Sequence, residues 1–60
     1  MLKFKGFCAE NGIKQAELAD LLNLSISTIN RKMNGREQFT LDQVRTLCRH
    51  FKISADIYFV

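Results

Sequence analysis

The chain has 60 residues, no proline, two cysteines and a formal net charge of +3, which allows one domain with a small core. With 47% hydrophobic and 25% charged residues and no low-complexity run, it is not a disordered segment. No apolar run approaches the roughly 18 residues of a membrane span, and MLKFKGFCAENG at the N-terminus lacks the apolar stretch of a signal peptide, so a cytoplasmic location is expected.

Phe4, Phe7 and Cys8 fall at helical spacing, with Leu2 and Asn11 at the ends, and predict a first helix of about ten residues. Asn11-Gly12 stops it, because both residues tolerate the left-handed conformation. A second helix is predicted from Lys14 to Leu22, with Leu18, Ala19 and Leu22 on one face. Glu17 lies in its first turn, where the helix dipole favours an acid. Asn23-Leu24-Ser25 breaks this helix, and Ser25 is a good cap for the next. The third helix runs from Ile26 to Asn34, with Ile26, Ile29, Asn30 and Met33 at helical spacing, and Asn34-Gly35 stops it. Residues 36–39 form a loop. Thr40-x-x-Gln43 matches a capping box, and Leu41, Val44, Leu47, Cys48 and Phe51 follow with clean helical period. Lys52-Ile53 turns, Ser54 caps, and a short fifth helix ends near Phe59. No segment alternates with strand period. The expected fold class is all-α, a single domain over residues 1–60.

Charge is distributed unevenly. The acids are Glu10, Glu17, Asp20, Glu37, Asp42 and Asp56, so the stretch from Leu21 to Arg36 holds Arg31, Lys32 and Arg36 and no acid. Cys8 and Cys48 are forty residues apart, and the one histidine, His50, is two residues from Cys48. A zinc site needs about four ligands in local pairs, so the cysteines are expected to be small buried hydrophobes. There is no Cys–His or Ser–His–Asp set at workable spacing, no glycine-rich phosphate loop and no carboxylate pair in an apolar setting. No enzyme activity, cofactor, metal or small-molecule substrate is expected.

The segment from Gln15 to Asn34 has the pattern of a helix-turn-helix. Two short helices joined by three residues cross steeply only with a small residue at the crossing, here Ala19, and a permissive residue in the turn, here Asn23. Leu18, Leu22, Leu24 and Ile29 occupy the inward positions that lock the angle. Such a pair presents the N-terminal half of its second helix to a major groove. On that face stand Ser27, Asn30 and Arg31, with Ile26 beside them. Asn suits adenine, Arg suits guanine O6/N7, and Ile makes apolar contact with a thymine methyl.

The stretch QAELADLLNLSISTINRKMNG, residues 15–35, resembles the Cro/CI-type (Xre-like) helix-turn-helix family. Leu41, Leu47, Phe51, Ile53, Ser54 and Asp56 resemble the same family's fourth and fifth helices, so the likeness runs over nearly the whole chain, residues 2–59. It implies a five-helix, lambda-repressor-like domain and a phage or bacterial regulator that binds a pseudo-palindromic double-stranded DNA operator, as a homodimer at least on DNA. Gln15 matches a position that contacts phosphate and braces the recognition helix. Ile26, Ser27 and Arg31 match base-reading positions, and Thr28, Asn34 and Arg36 match backbone contacts. Helix N-termini near the groove also supply unpaired N–H groups for phosphate oxygens.

The chain departs from the family pattern in three places. Lys14 stands where a Ser or Thr cap is usual and is taken as a phosphate contact. Asn23 replaces a usual glycine. Lys32-Met33 replaces an aromatic-acid pair, with Met33 expected in the core and Lys32 on phosphate or in solvent. Leu21 lies off the inward face. Phe39, Tyr58, Phe59 and Val60 are more apolar than a small surface requires. A dimer interface is therefore expected from Phe39, Ile57, Tyr58, Phe59 and Val60. The competing function is a protein-interaction module on the same fold, such as an antirepressor or the DNA-binding half of an antitoxin.

Overall fold

The computed structural model describes residues 3–59, which form α1 (Lys3–Glu10), α2 (Gln15–Leu22), α3 (Ile26–Met33), α4 (Leu41–Phe51) and α5 (Ala55–Tyr58). The expected order of elements is present, with ends shifted by a residue or two. Lys14 caps α2 rather than opening it, and Asn34 caps α3 rather than closing it. Leu2 and Val60 lie outside the described residues.

The first four helices stop by one device. A residue one or two positions past the helix takes a positive φ, and the next N–H reaches back five residues. Gly12 (φ 66°) lets Ile13 donate to the Cys8 carbonyl at 2.9 Å, and Asn23 (φ 56°) lets Leu24 donate to Ala19 at 2.9 Å. Gly35 (φ 79°) lets Arg36 donate to Arg31 at 2.9 Å, and Lys52 (φ 56°) lets Ile53 donate to Cys48 at 3.1 Å. Each bond satisfies a carbonyl that the helix end would otherwise leave unpaired. Ile13, Leu24 and Ile53 then pack on the core, which fixes where the chain goes next. Arg36 is exposed and has no such anchor.

Starts are less uniform. Ser25 and Thr40 accept hydrogen bonds from the Thr28 and Gln43 amides, and the Thr40–Gln43 capping box is complete. Lys14 and Ser54 occupy cap positions without a side-chain bond.

Lys52 is the costly stop, because a side chain with a Cβ is strained at positive φ by roughly 1–2 kcal/mol, and Lys lacks the short polar side chain that eases this conformation for Asn23. Lys52→Gly is expected to stabilise the domain by about 1 kcal/mol after glycine's larger unfolded-state entropy is subtracted. That raises Tm by roughly 4–8 °C in a domain this small. A thermal melt followed by circular dichroism checks this, and an unchanged or lower Tm would refute it.

Among the described residues four large side chains are fully buried, one from each of the first four helices: Phe4, Leu18, Ile29 and Leu47. Cys8, Ala19 and Met33 complete the core, and α2 and α3 share the most extensive helix–helix contact. Phe4 is the hub of an aromatic cluster. Its ring centroid lies 5.9 Å from Phe7, 6.4 Å from Phe39, 6.1 Å from Phe51 and 4.8 Å from Phe59. Tyr58 meets Phe7 edge-on at 5.2 Å, and Phe39 meets Phe59 at 5.8 Å.

These contacts correct the premise of the expected dimer surface. Phe39, Tyr58 and Phe59 are not surplus apolar residues, because they are half-buried against Phe4 and Phe7 of the same chain. Among the described residues of the expected interface only Ile57 remains open, at 56% exposure. Leu21 packs against the core despite lying off the inward stripe. Leu41 lies on the stripe but is exposed, because α4 begins before it reaches the core.

Candidate nucleic-acid interface

The site is built on the start of α2 and the outer face of α3. Lys14 offers no side-chain acceptor to α2, so the first amide donors of this helix are open to an anion. The turn that follows α2 is closed by Asn23 and anchored by Leu24. Ser25 then fixes the start of α3, accepting from the Thr28 amide at 3.1 Å and donating to Thr28 Oγ1 at 2.9 Å. With that end fixed, Ile26, Ser27, Asn30 and Arg31 are all exposed on α3. Asn34 and Arg36 are exposed just beyond it, and Thr28 is half-buried.

Amide side chains tie three helices together beneath this face. Asn30 Nδ2 donates to Gln15 Oε1 across a long 3.5 Å, linking α3 to the start of α2. Asn34 Nδ2 donates to the Asn30 carbonyl at 2.9 Å and to Asn30 Oδ1 at 3.2 Å. Lys5 Nζ donates to Asn34 Oδ1 at 2.8 Å, which adds α1 to the chain of contacts. No local signal in the sequence marks this contact, because its partners are 29 residues apart.

Arg31 is held rather than free. Its Nη1 donates to Ser27 Oγ at 3.2 Å, its Nη2 to Thr28 Oγ1 at 3.2 Å, and its Nε to Glu37 Oε1 at 3.3 Å. The acid-free stretch from Leu21 to Arg36 is therefore not acid-free in space, because the chain beyond Gly35 turns Glu37 back onto it.

Lys32 requires a correction. It was expected on phosphate or in solvent, but it is only 4% exposed. Its Nζ donates to the Gln38 carbonyl at 2.8 Å, pairs with Glu37 Oε2 at 3.0 Å and lies 5.7 Å from the Phe39 ring centroid. The aliphatic stem is buried and the ammonium fastens the 36–39 loop, so Lys32 is not available to a phosphate. Hydrogen bonds from Lys32 and then Arg31 hold the Glu37 carboxyl below its ordinary range. This link is intact above the ordinary carboxylate range and is lost as acid protonates the carboxyl.

Among the described residues, no group of three or more His, Cys, Asp or Glu side chains could hold a metal. Both cysteines are free, Cys8 buried and Cys48 only half-buried. Burial, and then the Glu17 charge, pushes the Cys8 thiol up to about 11, and burial also raises Cys48. Neither is a thiolate nucleophile at neutral pH. No helix among the described residues is long and apolar enough to cross a membrane.

The family model of the BetR domain matches residues 5–60, from the first turn of α1 through α5. The chain belongs to the BetR domain family. This is a family of small helical, helix-turn-helix-like domains, and membership suggests a DNA-binding regulator. Comparison with curated proteins and with solved structures finds no match. In this BetR domain, the outer face of α3 with the start of α2 is polar, and its Asn30 and Arg31 side chains are hydrogen-bonded to Gln15, Ser27 and Thr28.

Proposed function

We propose that this BetR domain is a sequence-specific, double-stranded DNA-binding transcriptional regulator of the Cro/CI type, working in the cytoplasm by binding rather than catalysis. The observation that carries this is the exposed face of α3, where Arg31 is pre-positioned by Ser27 and Thr28. A guanidinium fixed on a helix that can enter the major groove is suited to guanine O6/N7. Ile26, Ser27 and Asn30 supply the neighbouring base contacts. Lys14, Gln15, Thr28, Asn34 and Arg36 face phosphates on either side, with the open amides of α2 among them. Lys32 has no part in this set.

Binding as a homodimer places two α3 helices about 34–36 Å apart on a pseudo-palindrome. Ile57 supplies apolar surface for such a contact.

Selection of bound sequences from random duplex DNA tests the reading. Palindromic enrichment with half-sites one helical turn apart is expected, with affinity falling steeply as salt rises. No enrichment at low salt would refute it and favour the protein-interaction module.

A further inference from the structure

Glu37 was expected to be an ordinary loop residue, and its position is unusual. Its carboxylate bridges two cations, with Oε2 on Lys32 at 3.0 Å and Oε1 on Arg31 at 3.3 Å. The two cations differ in freedom. Lys32 is buried and is also bonded to the Gln38 carbonyl. Arg31 is open to solvent, its side chain 47% exposed. The carboxylate is thus anchored from the inside and faces the reading surface with its other oxygen. Three Arg31 nitrogens are then engaged at once, by Glu37, Ser27 and Thr28.

We propose that Glu37 is a positioning residue for Arg31 that sets the ratio of sequence-specific to non-specific DNA binding; this rests on the DNA-binding reading above. Two physical effects act together. Arg31 reaches the groove with its long side chain already ordered, so less rotamer entropy is lost when it meets a base edge. Its charge is also partly compensated, so it gains less from any phosphate oxygen, which is the contact common to all sequences. A base edge offers directed acceptors to a fixed guanidinium. A phosphate mainly rewards a mobile, uncompensated cation. The second effect is a penalty on the wrong ligand, and specificity is a difference of affinities.

The test compares the full chain with Glu37→Gln, Glu37→Asp and, as a control for net charge, Glu10→Gln. Each is titrated against the selected duplex and a scrambled one over a range of salt, after circular dichroism confirms the same helical content. Glu37→Gln is expected to bind the scrambled duplex more tightly and to lower the specificity ratio by roughly fivefold per subunit. Its non-specific salt slope should steepen by about one counterion per subunit. Glu37→Asp keeps the charge but loses the reach, and should fall with Glu37→Gln; Glu10→Gln should keep the wild-type ratio. A wild-type preference that Glu37→Gln leaves intact overturns the role of Glu37 alone. So does a Glu10→Gln effect equal to that of Glu37→Gln, which would reduce it to net charge. A wild-type chain with no preference between the duplexes overturns the DNA reading and this inference together.

Discussion

Phe4→Ala is expected to abolish cooperative folding near 25 °C. Truncating a fully buried phenylalanine costs about 3–5 kcal/mol, from lost transfer free energy and the cavity left behind. A 60-residue domain has only roughly 3–9 kcal/mol in total at typical stabilities per residue. The loss should fall at the upper end, because Phe4 touches the rings of Phe7, Phe39, Phe51 and Phe59 and so joins α1 to the 36–39 loop, α4 and the end of α5. Phe4→Leu keeps most of the volume and should cost about 1 kcal/mol. Thermal and urea unfolding of the two variants checks the contrast. A cooperative Phe4→Ala melt within a few degrees of the parent would show that the hub is dispensable.

The largest functional effect is expected from Arg31→Ala. A bidentate Arg–guanine contact contributes about 1–3 kcal/mol of discrimination, or roughly 5- to 150-fold at one base pair. The variant should bind DNA with preference relaxed at that position and retained elsewhere. Arg31→Lys should not rescue it, because a lysine ammonium lacks the planar fork that reaches Ser27, Thr28 and Glu37 together. Fold stability should change little, since Arg31 is exposed and its pairing with Glu37 is at the surface. Sequence selection repeated with each variant supplies the measurement. An unchanged preference at every position would remove Arg31 from the base-reading set.

The parts of this fold legible in the sequence are those encoded by neighbours. Asn11-Gly12, Asn23 and Asn34-Gly35 mark helix stops because positive φ is a property of the residue itself. The Thr40–Gln43 box marks a start because both bonds lie within one turn. Leu18, Ile29 and Leu47 show their burial through the helical period. What was hidden depends on contacts across the chain. Lys32 falls in a run of polar residues, and nothing local says that the 36–39 loop will fold over it. Phe39, Tyr58 and Phe59 look surplus until Phe4 is found among them. Leu41 fits the apolar stripe, yet periodicity gives a direction around a helix and not a depth in the core. The exposed face of α3 was legible from the helical period, since the phase of that helix turns Ser27, Asn30 and Arg31 outward. The restraint on Arg31 was not, because Glu37 approaches it only after the chain has reversed at Gly35.

The shared stop at the ends of the first four helices has a kinetic consequence. Each bond closes a turn of six residues, and in three of the four the donor is itself an apolar residue that seals the reversal. Chain reversals of this kind form without waiting for distant segments to meet, so loop-closure entropy gives only a low barrier. A helical chain ordered mainly by such local contacts belongs among domains that fold in microseconds to milliseconds. With no proline in the sequence, prolyl isomerisation adds no slow step to that search. A domain built this way can open transiently and refold without a slow step.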